Sequence, residues 1–253
     1  HVRWSSWKTS RPSNRRCGVD VGELHMHWPG ISIGGRETNG ARTEVWTGHL
    51  EDVGKVIARR SRRSQPSRAW EWALLRHLRD MGIEVPDLIP SAGGDVDVDG
   101  WHVYHYIDGR EPSAEDPRLV RSIGRVHRAT SGWPQRPGSA SARDLLVDSA
   151  GGEVNLDGMP DVLVDAVRGA WTSALHLRES TSVVHGDFGS RNALIDTRGR
   201  CVLIDWDEAR VDDPLFDLPE SDTQKRAALA WEIATCWSVE PTYARSLVEA
   251  FTQ

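Results

Sequence analysis

An α+β fold in two lobes, a small antiparallel sheet followed by a mostly helical half, is what the order of periodic segments predicts. Three observations carry it. Residues 31 to 61 alternate as strands around glycine-rich turns, one helical stretch and one further strand follow before Asp108-Gly109, and helical spacing dominates from there to the end. No internal repeat with a period of about 20 to 50 residues is visible, which excludes solenoids and propellers.

The elements read in order as follows. Ile31-Ser32-Ile33, Thr43 to Thr47 and Lys55 to Arg59 are strand segments, the first two joined through a turn from Gly34-Gly35 to Gly40. Trp70, Ala73, Leu74, Leu78 and Met81 share one helical face, with Ser67 available as N-cap and Gly82 just past the end. Asp95 to Gly100 is turn-rich, and Trp101 to Ile107 alternates as a strand. This divides the chain into an N-terminal extension (1–30), an N-lobe (31–108) and a C-lobe (109–253). In the C-lobe, Asp116 to Arg128 and Asp161 to Arg178 read as amphipathic helices, and the Ser/Pro/Gly-rich stretch Ser131 to Ser141 between them reads as a surface loop. Val183-Val184 and Cys201 to Ile204 are short apolar runs bracketing a polar loop, and helices over Thr223 to Trp237 and Thr242 to Phe251 close the chain.

Composition narrows the partners. The 253 residues, 38% hydrophobic, can bury a substantial core. With 31 Lys+Arg against 37 Asp+Glu the formal charge is −6, so a uniformly basic nucleic-acid surface is not expected. Cys17, Cys201 and Cys236 are too scattered for a disulfide framework or a metal knuckle, and no apolar run approaches the roughly 18 residues of a membrane span. The Arg-rich start, His1 to Cys17, has no apolar stretch of the secretory kind. A soluble, reduced, cytoplasmic protein without nucleic-acid or membrane partners is the expectation. Twelve of the aromatic residues are Trp, and scattered Trp residues are read as packing.

Chemistry concentrates in His185-Gly186-Asp187-Phe188-Gly189-Ser190-Arg191-Asn192 and, after a turn, Leu203-Ile204-Asp205-Trp206-Asp207-Glu208. Phosphoryl transfer needs a group that takes or orients the acceptor hydroxyl proton, and oxygen ligands for the magnesium ions that neutralise the triphosphate. The spacing from Asp187 to Asn192 reproduces the catalytic loop of protein kinases, with Gly186 where those enzymes have Arg, and Asp205 falls at the place of their metal-binding Asp.

These stretches, with Asp213-Pro214-Leu215-Phe216-Asp217-Leu218, resemble the aminoglycoside phosphotransferase family, which includes choline-kinase-like enzymes and has a protein-kinase-like fold. The resemblance is strongest from Val183 to Leu218 and continues more weakly from Ser32 to about His127. It implies an ATP- or GTP-dependent phosphotransferase with Mg2+, in which Asp187 is catalytic and Asn192 and Asp205 hold metal. Gly34, Gly35, Thr38 and Asn39 then belong to the loop over the phosphates, although two strands joined through glycines also describe an ordinary hairpin. Arg59 stands where kinases carry the phosphate-contacting Lys. Arginine keeps the charge with a different geometry, so either Arg59 serves or Lys55 reaches in from the strand start. Glu71 is the helix carboxylate that would orient Arg59. His185, Asp207 and Asp217 are expected to support the loop rather than react.

From Val183 to Glu220 there are nine acidic residues against four arginines, which favours a cationic small-molecule acceptor. A Ser/Thr peptide acceptor, and a non-catalytic nucleotide-binding module, are the alternatives.

Overall fold

Two central strands, each buried on both faces, organise the first half of the computed structural model, which describes residues 24–39, 43–175 and 181–252. Cys17, the Arg-rich start and Gly40 lie outside these residues, as do the side chains of Thr38 and Asn39. After a short helix α1 (Leu24–His27) come β1 (Ile31–Asn39), β2 (Thr43–Leu50) and β3 (Gly54–Ser61), then α2 (Gln65–Asp80), β4 (Leu88–Ile89) and β5 (Trp101–His105). They form one antiparallel sheet in the order β1-β2-β3-β5-β4. Val45, Ile57 and Tyr104 face Trp70, Leu74 and Leu78 of α2, while Trp46, Val56 and Val103 face Leu24 and Trp28. The stretch expected to be a turn from Gly34 is instead part of β1 as far as Asn39, with register shifts on both sides of Arg36. Extra residues are taken up as a bulge, and glycine is the residue that bulges accept most readily.

The start of α2 also differs from expectation. Its N-cap is Ser64 and Pro66 lies in the first turn, where its missing N–H costs nothing. Ser67 is therefore inside the helix, buried, and its hydroxyl accepts a hydrogen bond from Arg136 at 2.8 Å. Beyond Met81, Gly82 takes a positive φ of 68° as the chain leaves the helix.

The second half contains β6 (Gly109–Arg110), α3 (Pro117–Ala129), a hairpin of β7 (Ala150–Gly151) and β8 (Val154–Asn155), α4 (Asp161–Leu175), β9 (Ser182–Val184), β10 (Ala193–Asp196), β11 (Cys201–Leu203), β12 (Arg210–Asp212), α5 (Asp222–Cys236) and α6 (Pro241–Thr252). Asp116 caps α3 by accepting from the Arg118 N–H at 3.0 Å. Leu119, Ile123 and Val126 of α3 join Val183, Leu203 and Trp206 in the core shared with α2 and the sheet, so apolar packing runs between the halves. A second core unites α4, α5 and the 150–155 hairpin around Trp171 and Trp231.

The 131–141 segment is not simply a surface loop. Its prolines and glycines are exposed, but Arg136 is 1% exposed and Ala140 and Ser141 are buried. Gln135 pairs through its side chain with the backbone of Val211, so a stretch without periodic pattern is fixed by polar contacts instead. Among the described residues no helix is long and apolar enough to cross a membrane.

Candidate active site

The loop after β9 is held from beneath. Asp217 accepts hydrogen bonds from the backbone N–H of His185 at 2.8 Å and of Gly186 at 3.0 Å, and its carboxylate also meets His127 Nε2 at 2.9 Å. His185 is fully buried, donates from Nε2 to the Ile204 carbonyl at 2.9 Å and packs on Trp206. It supports the loop. Gly186 has φ of 86°, and a Cβ there would run into the backbone of Glu208, so a kinase-like Arg has no room at this position.

Asp187, on top of that support, is exposed. The Asn192 amide donates to its carboxylate at 2.9 Å and to its carbonyl at 2.7 Å. In turn the Ile204 N–H donates to the Asn192 carbonyl at 2.9 Å, which brings the next residue, Asp205, alongside the loop. Asp205 has φ of 66°, a left-handed backbone unusual for a residue other than glycine, and such local strain clusters where a side chain must be aimed.

Arg59 on β3 reaches this corner. Its Nη2 lies 3.3 Å from Asp205 Oδ1 and also contacts Asp207 Oδ2, while Nη1 is 3.8 Å from Glu71 Oε1. The side chain is 11% exposed, so Arg59 is not part of a solvated basic run. Lys55, at the other end of the strand, lies over the ring of Tyr106. Arg59 is thus the strand cation that meets the carboxylates.

Burial opposes a charge on each of these groups, and the neighbours decide the outcome. Burial, reinforced by Asp207, Asp187 and Glu208 against the pull of Arg59, pushes the Asp205 carboxyl up to about 8. For Asp207 burial is outweighed by Arg59, Arg63 and the Thr43 hydroxyl at 2.6 Å, which hold it below the usual carboxylate range. For Arg59, burial is outweighed by Asp207, Asp205 and Glu71, which keep the guanidinium firmly charged.

Glu71 and Asp207 have partners the sequence did not disclose. The short bond of Glu71 runs to Arg136 Nη2, at 2.6 Å. Arg136 also donates from Nη1 to the carbonyls of Trp206, Asp207 and Ala209 at 3.0 to 3.1 Å. Neither Arg136 nor Thr43 carried a signal, because each makes its contacts across more than sixty positions of chain. Gly34 and Gly35 lie in the bulged part of β1, where Gly35 has open space around the position of a Cβ.

The donor set fits a hard divalent cation. Asp205, Asp187 and the side-chain oxygen of Asn192 are oxygen ligands of the kind magnesium takes. Burial, together with the like charges of Asp207, Asp187 and Glu208, disfavours the ionised form of Asp205 and marks a place where added positive charge stabilises it. Among the described residues no group of three or more His, Cys, Asp or Glu side chains could hold a metal by itself. Magnesium, which usually keeps waters and shares phosphate oxygens with one or two carboxylates, does not need such a cage.

A family model described as "Phosphotransferase enzyme family" (APH) matches residues 38–251. Among solved structures the chain resembles an amicoumacin kinase, hAmiN, solved with AMP-PNP and Ca2+ (18% identity over 92% of this chain and 75% of that one, TM-score 0.60). It is also similar to a spectinomycin phosphotransferase solved with ADP and its antibiotic (12% identity, 92% and 91% covered, TM-score 0.60). A third likeness is to the choline kinase LicA from Streptococcus pneumoniae (17% identity, 89% of each chain, TM-score 0.54). At these identities the likeness establishes the two-lobed kinase-like fold. No curated protein matches the sequence.

Proposed function

Because the chain belongs to the phosphotransferase enzyme family, we propose that it transfers the γ-phosphoryl group of ATP or GTP to a hydroxyl of a cationic small molecule. The observation that carries this reading is the convergence of Asp187, Asn192, Asp205 and Arg59, from β3, the loop after β9 and the end of β11, at one corner.

The roles follow from the contacts. Asp187 is exposed and held by Asn192, so its carboxylate can accept a hydrogen bond from an acceptor hydroxyl and take its proton as the oxygen attacks. The amide that orients Asp187 uses its nitrogen for this, which leaves its oxygen as a ligand atom. Asp205 supplies the second oxygen ligand. Arg59, charged and poised between Asp205 and Asp207, can turn a forked donor toward phosphate oxygens without leaving Asp207. Magnesium, when bound with the nucleotide, would neutralise the triphosphate.

The acceptor class rests on charge. Nine acidic residues against four arginines between Val183 and Glu220 favour an amine-bearing compound, and the similar structures include kinases of antibiotics and of choline. Transfer of label from γ-labelled ATP and GTP, with magnesium, to aminoglycosides, amino alcohols and Ser/Thr peptides tests it. Label in an amine-bearing small molecule supports the reading. Label in peptide alone replaces the acceptor class, and nucleotide consumption unchanged in Asp187→Ala overturns the catalytic assignment.

A further inference from the structure

Arg136 is a buried arginine that donates hydrogen bonds from all three of its guanidinium nitrogens. It is 1% exposed, and a guanidinium has five N–H donors that must all be satisfied when buried. Nε donates to Ser67 Oγ at 2.8 Å, Nη2 to Glu71 Oε2 at 2.6 Å, and Nη1 to three carbonyls of the turn that follows Asp205. The indole of Trp70 lies against it, 5.4 Å from the ring centroid. One side chain from the 131–141 segment thereby joins α2 to the turn that carries Asp207.

The consequence concerns which carboxylate governs Arg59. Glu71 sits between two guanidinium groups, with Oε2 on Arg136 and Oε1 3.8 Å from Arg59. Coulomb attraction strengthens steeply as distance and water fall away, so the nearer contact holds the Glu71 charge. Arg59 is left to Asp207, whose backbone carbonyl is itself fixed by Arg136. We propose that Arg136 is a positioning residue of the phosphoryl-transfer centre: by holding Glu71 off Arg59 and fixing the turn after Asp205, it makes Asp207 the counterion that presents Arg59 to the nucleotide. The inference rests on the reading of this corner as a nucleotide site.

That arrangement differs from a lysine–glutamate pair in which the helix carboxylate orients the strand cation. The two arrangements give opposite signs in a double-mutant cycle. Without Arg136, Glu71 is a buried carboxylate whose nearest remaining cation is Arg59, and it draws Arg59 away from Asp205 and Asp207. Neutralising Glu71 then removes the competitor.

Calorimetric titration of magnesium AMP-PNP into the full chain, with thermal unfolding recorded for each variant, tests this. Arg136→Met should weaken binding about tenfold, and adding Glu71→Gln should recover about threefold or more, a coupling of the size contacting residues show. If Arg136→Met does not fold, Arg136→Lys replaces it, since lysine keeps the charge but cannot fork onto three carbonyls, and the same recovery with Glu71→Gln is expected. No recovery, or a further loss, overturns the inference and returns Glu71 to the role of direct partner of Arg59. A wild-type chain that does not bind magnesium AMP-PNP overturns the nucleotide reading itself, and the inference with it.

Discussion

The guanidinium of Arg59 stands 3.3 Å from the carboxylate of Asp205, joining β3 to the second residue past the end of β11. In the proposed reading Asp205 is a metal ligand, Arg59 holds the place of positive charge beside it, and the guanidinium turns toward phosphate when nucleotide binds. Arg59→Ala should therefore weaken nucleotide binding by about tenfold or more, the scale of a lost hydrogen bond to a charged group. Arg59→Lys should retain part of the affinity. Lys55→Ala should change it by less than about twofold, because Lys55 lies over Tyr106 and away from the carboxylates. Titration calorimetry on the three variants checks this, and a larger loss in Lys55→Ala would reverse the assignment.

Gly186 and Gly189 make opposite demands within one loop. Gly186 combines a left-handed backbone with a Cβ position that collides with the backbone of Glu208, whereas Gly189 is extended, with φ of 178°, and has open space. Gly186→Ala should cost on the order of 2 kcal/mol or more in stability, and Gly189→Ala well under about 1 kcal/mol. Chemical denaturation of both variants decides it. Equal losses would show that the loop relaxes freely around residue 186.

His102 faces Arg59 across β3 and β5 and is 2% exposed, with Asp97 at 4.0 Å. Burial, helped by the charge of Arg59 and only partly offset by the Trp101 backbone and Asp97, pushes its imidazole down to about 4. It is neutral in the folded chain at pH values where the unfolded chain is already protonated. Stability that His102 contributes above about pH 6.5 should drain away as pH falls toward 4. Denaturation midpoints followed from pH 7 to 4 should fall more steeply in wild type than in His102→Gln, and parallel curves would refute the assignment.

Legibility in the sequence followed locality. The longer strands β1, β2, β3 and β5 and the helices α3, α5 and α6 were visible because period and caps are properties of adjacent residues, as with Asp116 at the start of α3, whereas most strands of two to four residues were missed, β10 among them inside the stretch read as a polar loop. The loop from His185 to Asn192 was readable for the same reason, since Asp187 and Asn192 lie within one turn of chain and meet through a hydrogen bond. Ser67 misled, because a helix-favouring hydroxyl looks the same whether it caps an N–H or, as here, accepts from a buried arginine. Arg136 was invisible: it lies next to Pro137 in an aperiodic stretch, and each of its partners is contributed from a distant part of the chain. Glu71 was legible as the helix carboxylate expected to orient Arg59, while its closer contact with Arg136, at 2.6 Å against 3.8 Å, is set by distances that no spacing encodes.

The central claim is that Asp205 and its neighbours bind a metal–nucleotide complex. Its most direct test is calorimetric titration of AMP-PNP into the wild-type chain and into Asp205→Asn, each with and without magnesium. The account predicts saturable binding that requires magnesium in wild type and loses its magnesium dependence, with at least about a tenfold drop in affinity, in Asp205→Asn. Binding that is indifferent to magnesium, or identical in the two proteins, would contradict it.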